Sequence, residues 1–152
     1  MTSALFPMYQ HPTDTTPALF DLQSPFEPSG DQPEAIKELI NGLNKGLRNQ
    51  VLMGVTGSGK TEIYLQAIEN VLKKGKTSLV LVPEISLTPQ MVDRFISRFG
   101  QEQIAVIHSK LSTGERFDAW NKIAKGEIKI VIGARSAIFA PLKDIGIIII
   151  DE

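Results

Sequence analysis

The chain contains no cysteine. That excludes a disulfide framework and a thiolate zinc site, and it suits a reducing compartment. Charge of one sign is also missing: 16 Lys and Arg against 17 Asp and Glu leave a formal net charge of −1. No broad basic field therefore draws in nucleic acid nonspecifically, and any such partner must be held by a few local groups. Long apolar runs are absent as well. The longest aliphatic run, Ile147 to Ile150, falls far short of the roughly 20 residues that span a bilayer. The first residues have neither the basic start nor the apolar stretch of a signal peptide. These absences lead to the expectation of a soluble, cytoplasmic protein with no membrane partner.

What is present is ordinary in amount. The 152 residues, 42% apolar and 22% charged, suffice for one globular domain with a sizeable core. Residues 1–23 carry Pro7, Pro12 and Pro17 and no sustained apolar period, and read as a flexible leader. The alternative is an arm docked through Phe6, Leu19 and Phe20. Residues 24–152 read as the domain itself.

The order of residues in that domain is informative. Asp31 with Glu34 makes a capping box, Pro33 suits a first helical turn, and Ile36, Leu39, Ile40 and Leu43 recur at helical spacing until Gly46. Gln50–Met53 reads as a short strand, followed by a helix over 61–74 with Ile63, Ala67, Ile68, Val71 and Leu72 on one face. Thr77–Val82 is a strand. Thr88 and Pro89 open a helix whose stripe is Val92, Phe95, Ile96 and Phe99, stopped by Gly100. Ile104–Ile107 is the next strand. Ser112 with Glu115 caps a helix that turns Phe117, Trp120, Ile123 and Ala124 to the core until Gly126. Ile128–Ile132 and Ile145–Ile150 complete five strands. Such alternation predicts an α/β fold with a parallel sheet covered on both faces, and ligands at the carboxyl ends of its strands.

Gly54-Val-Thr-Gly-Ser-Gly-Lys-Thr61 satisfies G-x-x-x-x-G-K-[ST] at every fixed position, between a predicted strand and a predicted helix. Glycines let the backbone wrap so that the N–H groups of Gly54, Thr56, Gly57, Ser58 and Gly59 point at phosphate oxygens. The following helix adds its positive N-terminal end. Lys60 neutralises β- and γ-phosphate charge, and the Thr61 hydroxyl ligates Mg²⁺. Ninety residues or so downstream, the strand ending at Ile150 delivers Asp151 and Glu152. In that pairing Asp151 holds Mg²⁺ through water, and Glu152 orients or deprotonates the attacking water.

Ahead of the first helix, Gln32 either reads the N6 and N7 edge of adenine through its amide or is only a first-turn residue. Phe26 either stacks on the ring or plugs the core. Two turns after strands, Pro83–Pro89 and Gly133–Pro141, offer Ser86, Thr88, Arg135 and Ser136 for sugar-phosphate contacts, which position a strand without reading its sequence. His108-Ser109-Lys110 lies after the middle strand and can join them. Each is equally compatible with an ordinary turn.

The phrases GVTGSGKTEIYLQ, LVLVPEISLTPQM, IHSKLSTGER, IVIGARSAIFAPL and IIIIDE together resemble the first motor domain of superfamily-2 DNA helicases, and within them the primosomal replication-restart helicases. SPFEPSGDQPEAIKELINGLNKG resembles instead the opening of the excision-repair helicase subunits, where it supplies the adenine pocket through the positions of Phe26 and Gln32. The resemblance implies a RecA-like P-loop fold, with Gly54–Thr61 as motif I, Pro83–Pro89 as Ia, Gly133–Pro141 as Ib and Asp151-Glu152 opening motif II. It implies ATP and Mg²⁺ as cofactors, single-stranded or forked DNA as partner, and coupling of ATP hydrolysis to translocation in replication restart and repair. The sequence ends at Glu152, before motif III and before the second motor domain with its arginine finger. Two expectations follow: very weak ATPase from these residues alone, and a gap in mid-sheet between the Gln50–Met53 strand and that of Asp151. The competing reading is a module that holds nucleotide without turning it over.

Overall fold

The structure, a computed structural model, describes residues 30–47, 50–52 and 59–151. Its centre is a sheet of four parallel strands in the order β2-β3-β1-β4: β1 (Thr77–Leu81), β2 (Ile104–Ile107), β3 (Ile130–Gly133) and β4 (Ile145–Ile150). β-Branched residues fill these strands because their restricted side chains pack well on a pleated surface buried on both sides. Helices α2 (Lys60–Lys73) and α3 (Pro89–Phe99) cover one face. There Leu65, Ile68, Phe95 and Phe99 meet Val80, Val82, Ile104, Ile130, Ile132 and Ile149. Helix α4 (Thr113–Lys125) and a 3₁₀ turn at Arg135–Phe139 cover the other. Their Ile123 and Ala137 pack on Leu79, Ala105, Ile107 and Val131. The first helix, α1 (Gln32–Asn44), leans on α2. Helix α2 is thus sandwiched, and it buries Ile63 and Ala67 as well as Leu65 and Ile68.

Local signals set most element ends as their chemistry dictates. Ser112 and Glu115 form the reciprocal capping box, Thr88 accepts from the Met91 amide, and Gly100 leaves α3 at φ 86°. Three expectations fail. Asp31 stands at the N-cap with helical angles (φ −81°, ψ −2°) and no side-chain cap bond; a cap needs extended backbone to swing its oxygen toward N2 or N3. Phe117, in the first turn of α4, is 66% exposed, whereas Ile123 reaches the core and Trp120 packs at its margin.

The third concerns the sheet. Gln50–Leu52 is not a strand, and Met53 lies outside the described residues. The Gln50 side chain turns back to donate to the Leu39 carbonyl at 3.1 Å and packs against Gly42, while Val51 is 85% exposed. An interior strand requires partners on both sides. Among the described residues β4 pairs with β1 alone, so the sheet offers this segment no adjacent ladder.

That open edge has a measurable signature. The Asp151 amide donates to the Leu81 carbonyl at 2.9 Å. By strand alternation Ile147 and Ile149 face β1 in the hydrogen-bonding plane, and the amides of Ile148 and Ile150 point away from it. Hydrogen exchange should therefore be slow at Ile149 and fast at Ile148 and Ile150. Equal strong protection at all of these amides would show that a further strand closes the edge.

Candidate functional site

The chemistry-bearing residues gather where α2 begins and the strands end. Gly59 precedes α2 at φ 83°, ψ 17°, a left-handed conformation open to glycine at little cost. A Cβ added there would lie 1.8 Å from Gln32 Nε2. The Gln32 amide, on the first residue of α1, therefore sits directly against Gly59. Lys60 and Thr61 form the first turn of α2, half-buried, at the helix end whose dipole favours anions.

From the sheet side, Asp151 follows β4, and its backbone N–H donates a hydrogen bond to the Leu81 carbonyl. Tyr64, one turn beyond Thr61 on the same face of α2, donates its hydroxyl to Asp151 Oδ1 at 3.1 Å. Burial first, then the Asp151 charge and the hydrogen bond, push the Tyr64 pKa up to about 12. The phenol therefore stays neutral, and remains a donor, throughout the ordinary pH range. Helix α2 is itself moored by Arg98 of α3, whose guanidinium meets Glu62 and Glu69 at 3.2 Å each. Glu62 directly follows Thr61, so this fork steadies the turn that carries Lys60 and Thr61.

A second group lines the same rim over β1, β2 and β3. Ser86 and Thr88 follow β1, and Arg135 and Ser136 follow β3; all four are exposed. The Thr88 oxygen is engaged as the α3 cap, which leaves its hydrogen to donate. Glu84, in the turn after β1, accepts from the Ser109 amide at 3.1 Å and from the Ser109 hydroxyl. These two bonds, hydroxyl first, hold the Glu84 carboxyl below its ordinary pKa. Since β3 lies between β1 and β2, this contact bridges across its end and joins the outer turns. Gly133 lets the third turn leave closely: a Cβ there would stand 2.5 Å from the Ile107 carbonyl and 2.7 Å from Ala137.

Of the residues singled out from sequence, Gln32, Gly59, Lys60, Thr61 and Asp151 converge around the start of α2. Ser86, Thr88, Arg135 and Ser136 share the rim. Phe26, Gly54, Thr56, Gly57, Ser58 and Glu152 lie outside the described residues. Sequence reasoning missed Tyr64, Arg98 and the Glu84–Ser109 bridge. Only Tyr64 left a signal, its i+3 spacing from Thr61. Among the described residues no cluster of three His, Cys, Asp or Glu side chains occurs. Mg²⁺ ordinarily takes one or two protein oxygens and completes its shell with phosphates and water. Thr61 and Asp151 supply oxygens of that kind. Among the described residues no helix is long and apolar enough to cross a membrane.

Comparison with known families matches residues 29–152 to the DEAD/DEAH box helicases. Similar proteins include the replication restart protein PriA of Bacillus subtilis, 56% identical over 135 residues, that of Synechocystis, 56% over 108, and that of Haemophilus influenzae, 54% over 121. These matches cover 88%, 71% and 80% of this chain but only 17%, 13% and 16% of the relatives. A match of 135 residues is longer than the stretch from Gly54 to Glu152. The replication-restart likeness thus reaches upstream of the phosphate loop, into the segment that resembles the excision-repair subunits.

Proposed function

The chain belongs to the DEAD/DEAH box helicase family, and on that footing we propose that it is the ATP-binding part of a replication-restart DNA helicase's first motor domain, residues 24–152, preceded by a leader at 1–23. One observation carries this reading. The hydrogen bond from Tyr64 to Asp151, 87 positions apart, brings the helix of Lys60 and Thr61 onto the carboxylate after β4. A phosphate-binding lysine, a metal-ligating hydroxyl and a metal-side carboxylate then face one nucleotide, the arrangement that phosphoryl-transfer motors require.

In this reading Lys60 meets the β- and γ-phosphates, with the backbone of Gly54, Thr56, Gly57, Ser58 and Gly59 around them. Thr61 and Asp151 serve Mg²⁺, which neutralises developing phosphate charge, and Glu152 orients the attacking water. Gln32 and Phe26 hold adenine. The exposed turns with Ser86, Thr88, Arg135 and Ser136 grip the sugar-phosphate backbone of single-stranded or forked DNA, and Glu84–Ser109 ties those turns so that they move together. In the longer protein this part works with a second motor domain to couple ATP hydrolysis to DNA translocation, in the cytoplasm.

Nucleotide selectivity tests the adenine assignment. A bidentate amide contact discriminates by about 1–3 kcal/mol, so the chain should bind Mg·ATP several-fold or more tightly than Mg·GTP. Gln32→Ala should remove much of that difference. Calorimetric titrations giving equal affinities in the parent chain would remove Gln32 from the pocket.

A further inference from the structure

Asp151 sits at a vulnerable place. It follows β4, which among the described residues has a neighbour on one side only, and its backbone N–H donates a hydrogen bond to the Leu81 carbonyl. A carboxylate there can rotate about two torsions, yet a metal-bound water needs it in one orientation. Tyr64 answers this. Its ring packs against the core cluster of Leu65, Ile68 and Ile149, and its hydroxyl donates to Asp151 Oδ1 at 3.1 Å. The ring has few torsions and a fixed seat, so the hydroxyl is a rigid post.

We propose that Tyr64 is the positioning residue for the metal-side carboxylate. It holds Asp151 through Oδ1 and leaves Oδ2 for the water shell of Mg²⁺. This rests on the assignment of Asp151 to the metal. The choice of a phenol is chemically apt: a neutral donor orients the carboxylate without cancelling the charge that attracts the cation, whereas a lysine or arginine would neutralise it. Residues that orient metal-site groups in this way typically contribute 10- to 100-fold in metal affinity. Because Tyr64 lies one helical turn from Thr61, both oxygens assigned to Mg²⁺ are referenced to the same face of α2. A shift of that helix then carries the hydroxyl and the carboxylate together.

The test is Tyr64→Phe, which keeps the ring and removes only the hydroxyl. ATP affinity of the 152-residue chain is measured by calorimetry in EDTA and again in saturating Mg²⁺, for the parent, Tyr64→Phe and Asp151→Asn. The parent should bind more tightly with Mg²⁺, and Asp151→Asn should lose that gain. Tyr64→Phe should match the parent in EDTA, melt within a few degrees of it, and lose roughly tenfold of the magnesium-dependent tightening. An unchanged magnesium gain in Tyr64→Phe would overturn the proposal. So would an equal loss in EDTA and in Mg²⁺, which would mark Tyr64 as general support for the helix. If Asp151→Asn keeps the full gain, the assignment of Asp151 itself fails and the proposal falls with it. The Asp151→Asn arm therefore separates the two failures.

Discussion

Lys60→Ala is expected to abolish measurable Mg·ATP binding. Lys60 opens α2, half-buried beside Gly59, where the helix dipole already favours an anion. Its ammonium is the full positive charge that the phosphate-loop pattern aims at the β- and γ-phosphates. At an effective dielectric near 20, a charge pair about 4 Å apart is worth about 4 kcal/mol, or about three orders of magnitude in affinity. Lys73 on the same helix provides the contrast. It pairs with Glu69 at 2.7 Å but is 48% exposed, and an exposed i,i+4 pair on a helix contributes only about 0.3–0.5 kcal/mol. Lys73→Ala should therefore leave nucleotide affinity nearly unchanged. Calorimetry showing that Lys60→Ala binds as the parent does would refute the motif I assignment.

The second large effect concerns the scaffold. Phe95 is fully buried between α3 and the sheet, with its ring centroid 6.5 Å from that of Phe99. Truncating such a residue removes its transfer free energy and leaves a cavity that the neighbours only partly fill. The cost is about 3–5 kcal/mol for Phe→Ala. Domains of this size carry about 5–15 kcal/mol in total, so Phe95→Ala should remove a substantial share of the stability. The loss should reach the site as well, because Arg98 lies one turn beyond Phe95 and moors Glu62 and Glu69. Urea melts should show the midpoint lowered by that loss divided by the slope, with little change in the slope itself. A loss below about 1 kcal/mol would mean that α3 is not seated as described.

Much of the fold was legible because its determinants are local. β-Branched runs define β2 and β4 at their observed bounds, and Ser112, Thr88 and Gly100 act on the backbone beside them. Phe117 was misplaced because helical spacing gives a face but not how far the partner sheet extends beneath it. The strand expected at Gln50–Met53 failed for a related reason. A buried parallel strand is defined by its neighbours, and the apolar run cannot supply them. The Asp31 cap failed on backbone angles, which residue type alone does not set.

The site divides in the same way. The placing of Lys60 and Thr61 at the start of a helix was legible because the loop pattern names adjacent residues on one turn. The placing of Asp151 at the carboxyl end of a strand was legible because the isoleucine run before it marks that strand. The bonds that unite the site join distant residues: Tyr64 to Asp151, Arg98 to Glu62, Glu84 to Ser109. No local pattern encodes such partners. Likewise, two stretches of the chain resembled different helicase families, while the likeness to the replication-restart proteins extends through both. Short phrases around a shared nucleotide site do not separate families that bind the same ligand.

The most direct measurement is a calorimetric titration of the purified 152-residue chain with Mg·ATP, after circular dichroism has established a cooperative melt. A motor-domain nucleotide site requires saturable binding at one site per chain, tighter for Mg·ATP than for Mg·GTP and lost in Lys60→Ala. A chain that melts cooperatively yet shows no saturable nucleotide binding would contradict it.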